Sequence, residues 1–255
     1  MPPVAPKVVI LRAPGTNCDP ETAHAFRLAG TDNVEILHVN RILEKPELLD
    51  TAQILCIPGG FSFGDDIAAG RIFASKLINH LADELRRFCE VDKLILGICN
   101  GFQVLLKAGL LFRNHDPAPA TLTWNRNPLY TDRWVRLRTE KTDCVFLRGI
   151  DEIYLPIAHA EGRFAVKSEA DLEALKKQRH FALRYHPEDN PNGSDFDVAG
   201  ACDTTGRIFG LMPHPERFLD VLHHPRWTRN QMSFDDNLPP GDGLAIFRNA
   251  VGYFR

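Results

Sequence analysis

Short apolar runs alternate with amphipathic stretches through the first hundred residues of the chain. Runs of this length, rich in Val, Ile and Leu, are typical of strands that are buried on both faces of a sheet. They cover residues 8–11, 34–39, 53–57 and 93–98. Because stretches with helical signals follow them, the pattern predicts βαβ units and a mostly parallel sheet with helices on both faces.

Helix signals lie between these runs. Asp19 is the expected N-cap of a first helix, with Pro20 at its first position and Gly30 at its end. A short helix is expected from about Pro46, and a long helix from about Asp66. The long helix is predicted by apolar residues that recur at helical spacing on one face, which are Phe73, Leu77, Leu81, Leu85 and Phe88.

The second half of the chain has a different pattern of apolar and polar residues. After Pro119 the apolar runs become shorter and more polar, and a helix rich in Glu and Lys is predicted over about 169–177. Residues 198–212 have the pattern of a hairpin, and a last helix is expected over 244–253. We therefore expect one α/β domain spanning 1–255, with an antiparallel portion added to the sheet in its C-terminal half.

Composition narrows the class of protein. The 255 residues are 44% hydrophobic and 25% charged, with a formal net charge of -3, so no basic surface for a nucleic acid is expected. The chain shows no signal-peptide pattern, and no apolar run approaches the roughly 20 residues that cross a bilayer. We expect a cytoplasmic protein without a membrane partner. Six cysteines without C-x-x-C pairs argue against a disulfide framework and a zinc site.

One cysteine stands between two glycines at the end of the fourth apolar run. The segment from Gly97 to Gly101 has the G-x-nucleophile-x-G form of a strand-turn-helix elbow, with Cys99 at its centre. A helix N-terminus favours an anion and lowers a thiol pKa from about 8.5 toward neutrality. Cys99 is therefore a candidate nucleophile, and the N–H of Asn100 is a candidate oxyanion donor. The alternative is an inert core thiol.

Two further segments follow predicted strand ends. Gly59 and Gly60 are able to turn backbone N–H groups outward, as an oxyanion hole requires, although a plain glycine turn has the same pattern. His214 and Glu216 stand in a segment that two prolines should hold extended, and they fit either a base with its orienting carboxylate or an ordinary loop. Because ligands bind at the carboxyl ends of parallel strands, the segments together predict a catalytic site.

These residues closely resemble the motifs of class I glutamine amidotransferases, a family with a flavodoxin-like fold. The family's elbow motif, G-x-C-x-G-x-Q, ends here at Gln103, and its H-x-E motif falls on His214 and Glu216. Within the class, five segments are similar to the glutaminase subunits of phosphoribosylformylglycinamidine synthases from purine biosynthesis. These segments are PGTNCD, PGGFSFGDD, GICNGFQVL, LPIAHAEGRF and GLMPHPER, and the resemblance runs from about Lys7 to the last helix.

The resemblance implies a mechanism in which a thiolate attacks the side-chain carboxamide of L-glutamine. The histidine transfers protons, and the glutamate fixes its tautomer. The residues expected in this site are Cys99, His214 and Glu216 for catalysis, Gly59, Gly60 and Asn100 for the oxyanion hole, and Phe61, Gln103, His159, Gly162, Arg163 and Phe164 for glutamine binding.

The resemblance also implies partners. Ammonia released into neutral water becomes ammonium, which has no lone pair for attack, so it must be transferred shielded from solvent. In the family, a large synthetase subunit uses ATP and magnesium to activate formylglycinamide ribonucleotide, and a small accessory subunit often joins it. This chain has no G-x-x-x-x-G-K-[ST] loop, so we expect no cofactor and no metal on it, with ATP and magnesium on the partner.

The sequence departs from the family in places. Many relatives have glycine at the position of Ala160, and residues 125–130 and 223–243 carry no family signature. Three other interpretations remain open: a glutaminase that serves a different amidotransferase, a free-standing cysteine hydrolase of the same fold, and a binding module that has lost the chemistry. The intact cysteine, histidine and glutamate argue against the last of these.

Overall fold

The structure is a computed structural model that describes residues 5–115, 117–229 and 239–255. Eleven strands and six helices lie in these ranges. The strands are β1 (Val8–Arg12), β2 (Val34–His38), β3 (Ile54–Ile57), β4 (Leu94–Ile98), β5 (Ala120–Thr123), β6 (Thr131–Thr139), β7 (Glu152–His159), β8 (Arg163–Val166), β9 (Phe181–Tyr185), β10 (Val198–Cys202) and β11 (Ile208–Leu211). The helices are α1 (Asp19–Leu28), α2 (Val39–Glu44), α3 (Arg71–Glu90), α4 (Asn100–Lys107), α5 (Glu169–Lys177) and α6 (Leu244–Gly252).

Nine of these strands form one mixed sheet in the order β2-β1-β3-β4-β11-β10-β9-β6-β7. The strands from β2 to β11 are parallel neighbours. From β11 to β7 every neighbouring pair is antiparallel. A separate antiparallel pair joins β5 to β8. The expected α/β class, with an antiparallel portion added in the C-terminal half, is confirmed.

The buried core explains why the strands and helices of the first half can be predicted from the sequence. All residues of β3, β4 and β11 are buried, so these strands are apolar throughout. The five residues that predicted α3 are all buried on one face of that helix. Helix α1 packs against α6, and α3 packs against α4. The parallel half is therefore a sheet between helices, as its periodicity predicts.

Several element boundaries differ from the predictions. Asp19 is the first residue of α1 rather than its N-cap, and its carboxylate pairs with the guanidinium of Arg12. The helix expected from Pro46 is a short 3-10 turn, and the α-helix in that region is α2, before the proline. Helix α3 begins at Arg71 rather than near Asp66, because the preceding Gly70 has a left-handed φ of 73°.

The antiparallel half of the sheet contacts the carboxyl ends of strands in the parallel half. The backbone N–H of His214, just after β11, donates to the carbonyl of Pro156 in β7 at 2.8 Å. The thiol of Cys99, just after β4, lies 3.8 Å from the carbonyl oxygen of Ala158 in the same strand. Strand β7 therefore reaches the carboxyl ends of β4 and β11, although it lies at the far edge of the sheet order.

Part of the long segment 223–243 falls outside the described residues. Within them, short 3-10 turns cover Val221–His223 and Trp227–Arg229. The helices of the described part of the chain include none with the length and apolar character that a bilayer span requires.

Candidate active site

The turn between β4 and α4 holds Cys99 in a strained backbone conformation. Its φ is 50° and its ψ is -105°, a region that residues other than glycine rarely adopt and that occurs mainly where surrounding structure enforces it. A Cβ on Gly101 would lie 1.8 Å from the carbonyl oxygen of Ile57, so the residue there must be glycine. Close approach of α4 to β3 thus produces the nucleophile elbow that the sequence predicts.

His214 and Glu216 form a buried pair beside this turn. The Nδ1 atom of His214 lies 2.6 Å from Oε1 of Glu216, and both residues are 2% exposed. The extended conformation predicted for this segment is wrong, because Pro215–Arg217 forms a 3-10 turn. The turn still brings the two side chains together. It fixes Nδ1 as the ring nitrogen that faces the carboxylate.

Two acidic neighbours determine the charge on His214. Burial lowers the pKa of the imidazole, but the carboxylate of Glu216 and the sulfur of Cys99 together raise it well above its usual value. Its Nε2 atom is buried and has no hydrogen-bond partner in the described part of the chain. The ring is therefore able to accept a proton from the Cys99 thiol, and the imidazolium that results is stabilised by the carboxylate.

A second thiol, which sequence reasoning did not single out, lies against the same imidazole. The Sγ atom of Cys18 is 3.2 Å from a guanidinium nitrogen of Arg217, whose Nε donates to Glu21 at 3.1 Å. Burial raises the pKa of Cys18 to about 11, although the neighbouring imidazole of His214 opposes the shift. A Cβ on Gly59 would lie 3.1 Å from this sulfur and 2.8 Å from Cε1 of His214, so the glycine leaves room for both.

Ligand atoms of Cys18, His214 and Glu216 all lie within 4.8 Å of one another, which is close enough to consider a metal. The guanidinium of Arg217 is in contact with the thiol, and a cation placed there would meet its positive charge. The histidine and the carboxylate already bond to each other. The expectation that this chain holds no metal stays a prediction.

The backbone beside Cys99 supplies donors for an oxyanion. Gly60 has a φ of 136° and pairs with Thr16, so its position depends on the loop before α1. The N–H groups of Gly60 and Asn100 make no hydrogen bond to other described residues. The carbonyl of Gly59 accepts from the N–H of Cys18 at 3.3 Å, and Gly59 lies against His214. Gly59 packs against the histidine, and the donor role expected of Gly59, Gly60 and Asn100 stays a prediction.

Cys99 lies in the wall of a cavity of about 240 Å³. Of the residues expected to bind glutamine, Phe61, Gln103 and His159 line this cavity. The side-chain amide of Gln103 donates to the carbonyl of Glu161 at 2.7 Å and accepts from Asn100 at 2.9 Å, which ties the nucleophile helix to the opposite wall. The remaining lining residues are Gly60, Gly64, Asp65, Ala69, Trp124, Ala158, Ala160 and Glu161.

The other three expected glutamine-binding residues lie behind this wall. Phe164 is fully buried in the core, and Arg163 donates to the carbonyl of Trp124 at 3.2 Å. A Cβ on Gly162 would lie 2.2 Å from the ring of His159, so this glycine allows the histidine its position. Ala160 lines the cavity and is absent from the described residues with positive φ, so its methyl group is accommodated.

Sequence reasoning missed the residue that organises this wall. The Nδ2 group of Asn125 donates to the carbonyls of His159 and Leu129, each at 2.9 Å. Its Oδ1 accepts from the N–H of Gly162 at 3.1 Å and lies 3.1 Å from Nδ1 of His159. The segment 125–130, which carries no family signature, therefore holds the histidine in place. No local pattern marks Asn125, since all these contacts except that with Leu129 span more than thirty positions.

Comparisons with known proteins identify the family of the chain. The family described as the CobB/CobQ-like glutamine amidotransferase domain matches residues 5–254. A phosphoribosylformylglycinamidine synthase subunit PurQ from Dehalococcoides mccartyi is 44% identical, with 98% of each chain covered. A subunit of the same name from Methanococcus maripaludis is 40% identical, again with 98% of each chain covered.

Solved structures give the same result. A chain of the structure of PurLQS from Thermotoga maritima superposes with a TM-score of 0.75 at 30% identity, covering 98% of this chain and 100% of that one. A glutamine amidotransferase from Methylobacillus flagellatus shares the fold, with a TM-score of 0.56 at 13% identity and 98% of this chain covered. The chain therefore belongs to the glutamine amidotransferase family, within the group of PurQ subunits of phosphoribosylformylglycinamidine synthase.

Proposed function

We propose that this chain hydrolyses L-glutamine to glutamate and ammonia, as the glutaminase subunit of a phosphoribosylformylglycinamidine synthase. The observation that carries the proposal is the placement of Cys99 and the His214–Glu216 pair at the ends of the adjacent strands β4 and β11. The electrostatic coupling between the cysteine and the histidine supports the same pairing. Membership of the PurQ group supports the choice of pathway.

The reaction proceeds in two steps that use side chains and backbone N–H groups of this chain. The Cys99 sulfur attacks the carboxamide carbon of glutamine, and His214 transfers the proton that leaves with ammonia. The N–H groups of Gly60 and Asn100 stabilise the oxyanion, and loss of one such donor costs about 3–4 kcal/mol of barrier. His214 then activates water, which hydrolyses the glutamyl thioester. Glu216 keeps the ring oriented and stabilises the imidazolium.

The ammonia passes to a large synthetase subunit that converts formylglycinamide ribonucleotide to formylglycinamidine ribonucleotide, and a small accessory subunit completes the complex. ATP and magnesium act on the partner, and this chain needs no cofactor of its own. The partners are supported by the relative that was solved as PurLQS. A cytoplasmic location is part of the proposal and is supported by the soluble nucleotides that purine biosynthesis uses.

The test compares two sources of nitrogen in the assembled synthase. For Cys99→Ala we expect the glutamine-dependent reaction to fall by about 10³-fold or more, because the nucleophile is lost. The ammonium-dependent reaction, measured at high ammonium salt, stays within about 2-fold, since it does not use this site. Cys89→Ala, which removes a buried thiol in α3, is the matched control and should keep both reactions.

Equal loss of both reactions in a folded, assembled Cys99→Ala complex would contradict the proposal. Amination of a different acceptor would support a glutaminase that serves another synthase. Cleavage of esters or peptides by the lone chain, without glutamine, would support the free-standing hydrolase.

A further inference from the structure

The guanidinium of Arg217 lies beside the catalytic pair, although it takes no part in the proton transfers. Its Nε atom donates to Glu21 in α1 at 3.1 Å, and its Nη2 atom donates to Sγ of Cys18 at 3.2 Å. Arg217 directly follows Glu216 in the 3-10 turn after β11. Two side chains of a different element thus hold a positive charge against the turn that carries the catalytic pair.

The thiol of Cys18 lies close to both the guanidinium and the imidazole. Its Sγ atom is within 4.8 Å of a ring nitrogen of His214 and of a carboxylate oxygen of Glu216. The S–H group donates to Oδ1 of Asn17 at 3.2 Å, so a sulfur lone pair is left for the guanidinium. Because burial raises the pKa of this thiol to about 11, it stays neutral and leaves the charge of Arg217 uncancelled.

The buried carboxylate of Glu216 needs such a cation. One of its oxygens bonds to the imidazole, and Oε2 is buried without a partner among the described residues. An imidazolium balances the charge of the carboxylate. Once the ring gives its proton to the departing ammonia, the carboxylate would be an uncompensated buried charge, which is costly. A guanidinium does not titrate near neutral pH, so it is positive in both states of the ring.

The charged and titratable groups around the pair come from several elements. They are Cys18 and Glu21 at the start of α1, Cys56 in β3, Cys99 before α4, Tyr130 before β6, His159 in β7 and Arg217 in the turn itself. Burial raises the pKa values of Cys56 and Tyr130 and lowers that of His159 to about 3, so these three are neutral near pH 7. Arg217 is the permanent cation of this set. Burial lowers its pKa, but Cys18, Glu21 and Glu216 together raise it, so the guanidinium and the catalytic carboxylate are electrostatically coupled.

We propose that Arg217 is a positioning residue for the catalytic histidine, held in place by Cys18 and Glu21, an inference that rests on the glutaminase function proposed above. Its fixed charge keeps Glu216 ionised while the ring gains and loses its proton. The contact with Cys18 and Glu21 keeps that charge at a constant place in the site. The neutral thiol, next to the ring, holds the cation without replacing the carboxylate as the partner of the imidazole.

The charge of Arg217 predicts the direction of a pH shift. A fixed positive charge favours thiolate over thiol and neutral imidazole over imidazolium, so its removal raises both apparent pKa values of the reacting pair. In the assembled synthase, Arg217→Met should move both limbs of the pH profile of kcat/KM for glutamine to higher pH, by about 0.5 unit or more. Glu21→Gln removes a negative charge and should move both limbs to lower pH, by a smaller amount because Glu21 is partly exposed.

Opposite shifts separate this role from a merely structural one. Both variants break the same contact between Arg217 and Glu21, so a simple tie between the turn and α1 would give two similar losses without opposite shifts. Arg217→Lys keeps the charge and should leave the limbs within about 0.2 unit of the wild type, with kcat/KM within about 5-fold. Arg217→Met should lose about 10- to 100-fold. Arg86→Met, which removes an exposed guanidinium in α3, is the control and should match the wild type.

A titration that needs no glutamine separates this inference from the glutaminase function. NMR of the full chain, labelled at histidine, follows the ring of His214 directly. The ring should lose its proton at higher pH in Arg217→Met and at lower pH in Glu21→Gln, even if glutamine is not hydrolysed. An unmoved midpoint in Arg217→Met, or shifts in the same direction in both variants, would overturn the inference and leave the glutaminase function intact. Should Arg217→Met not fold, Glu21→Gln decides, and a midpoint that does not move to lower pH overturns it.

Discussion

Cys18 and Cys99 flank the same imidazole but differ in what surrounds them. Cys18 is 1% exposed and is enclosed by Asn17, Arg217 and His214. Cys99 lies in the cavity wall, next to the backbone donors of Gly60 and Asn100. Cys99 is therefore the thiol that substrate can reach, and Cys18 packs against the histidine.

Alkylation should distinguish the two thiols. With iodoacetamide at pH 8, we expect modification of Cys99 and none of Cys18, because a thiol with a pKa of about 11 is ionised to only about one part in a thousand. Peptide mass spectrometry after short exposure measures this directly, and glutamine should protect Cys99. Cys89, whose pKa burial also raises to about 11, serves as the internal control. Labelling of Cys18 with loss of activity would reverse the assignment.

The pH dependence of Glu216→Gln follows from the charge on His214. The carboxylate raises the pKa of the ring, so its removal lets the imidazolium lose its proton at a lower pH. We expect the alkaline limb of kcat/KM for glutamine to move to lower pH and activity to fall about 10²- to 10⁴-fold. A pH–rate profile of the assembled synthase measures both. An unshifted alkaline limb would contradict the role given to Glu216, and the exposed Glu173→Gln is the control.

At the residue scale, the sequence predicts the reacting side chains more successfully than it predicts the side chains that position them. Cys99 and the H-x-E pair stand in local motifs, so they are visible without a structure. Cys18, Asn125 and Glu161 act through contacts with residues that are distant in the chain, and their own neighbours carry no special pattern. The positive charge of Arg217 lies beside Cys18 only once the chain is folded.

Among the elements, the turn from β4 into α4 has the least tolerance for change. Gly97 and Gly101 flank the nucleophile, and a Cβ on either would meet atoms at under 3 Å. At Gly101 the obstacle is backbone of β3, which cannot move without breaking the sheet. The glycines thus set the distance between the helix and the strand beneath it.

Substituting these glycines should reveal that constraint as lost stability. Gly101→Ala should lower the free energy of unfolding by about 3 kcal/mol or more, because the methyl group must displace backbone in a close-packed interior. Gly252→Ala is the matched control, since a Cβ there meets nothing within 4 Å, and helix propensity should leave it neutral or slightly stabilising. Urea unfolding of both variants measures the difference. Similar midpoints for the two would contradict the packing argument.

Element boundaries show where local signals fail. The periodicity of α3 predicts its buried face correctly, but not its start, because Gly70 adopts a left-handed φ that sequence patterns do not reveal. The prolines around His214 suggest extended backbone, and the structure has a turn there. In each case a loop that serves the cavity departs from its local preference, as expected where tertiary contacts determine the conformation.

On the scale of the whole molecule, the main feature is that residues from both halves of the sheet line one cavity. The parallel half supplies Cys99, Gly60 and Asp65, and the antiparallel half supplies His159 and Glu161. Strand order alone places β7 four positions away from β11. The sequence predicts an added antiparallel portion, but not that it forms a wall of the site, because that depends on how the whole sheet curves.

Ligand binding should therefore protect both halves at once. In a Cys99→Ala complex with saturating glutamine, we expect slower backbone hydrogen exchange in 59–70 and in 158–163. Glutamine at about 100 times its Kd should also add about 2.7 kcal/mol to the free energy of unfolding. Exchange monitored by mass spectrometry resolves the two segments, with α5 as a distant reference that should not change. Protection confined to one segment would mean that the cavity is not closed by both.

The left-handed backbone at Cys99 has a consequence for how such a chain changes over generations. A non-glycine residue in that conformation carries strain of about 1–3 kcal/mol, and glycine would relieve it. Drift toward stability alone would thus remove the thiol from this position. A thiol at this position therefore marks a lineage in which selection for nitrogen transfer has outweighed the thermodynamic advantage of losing it.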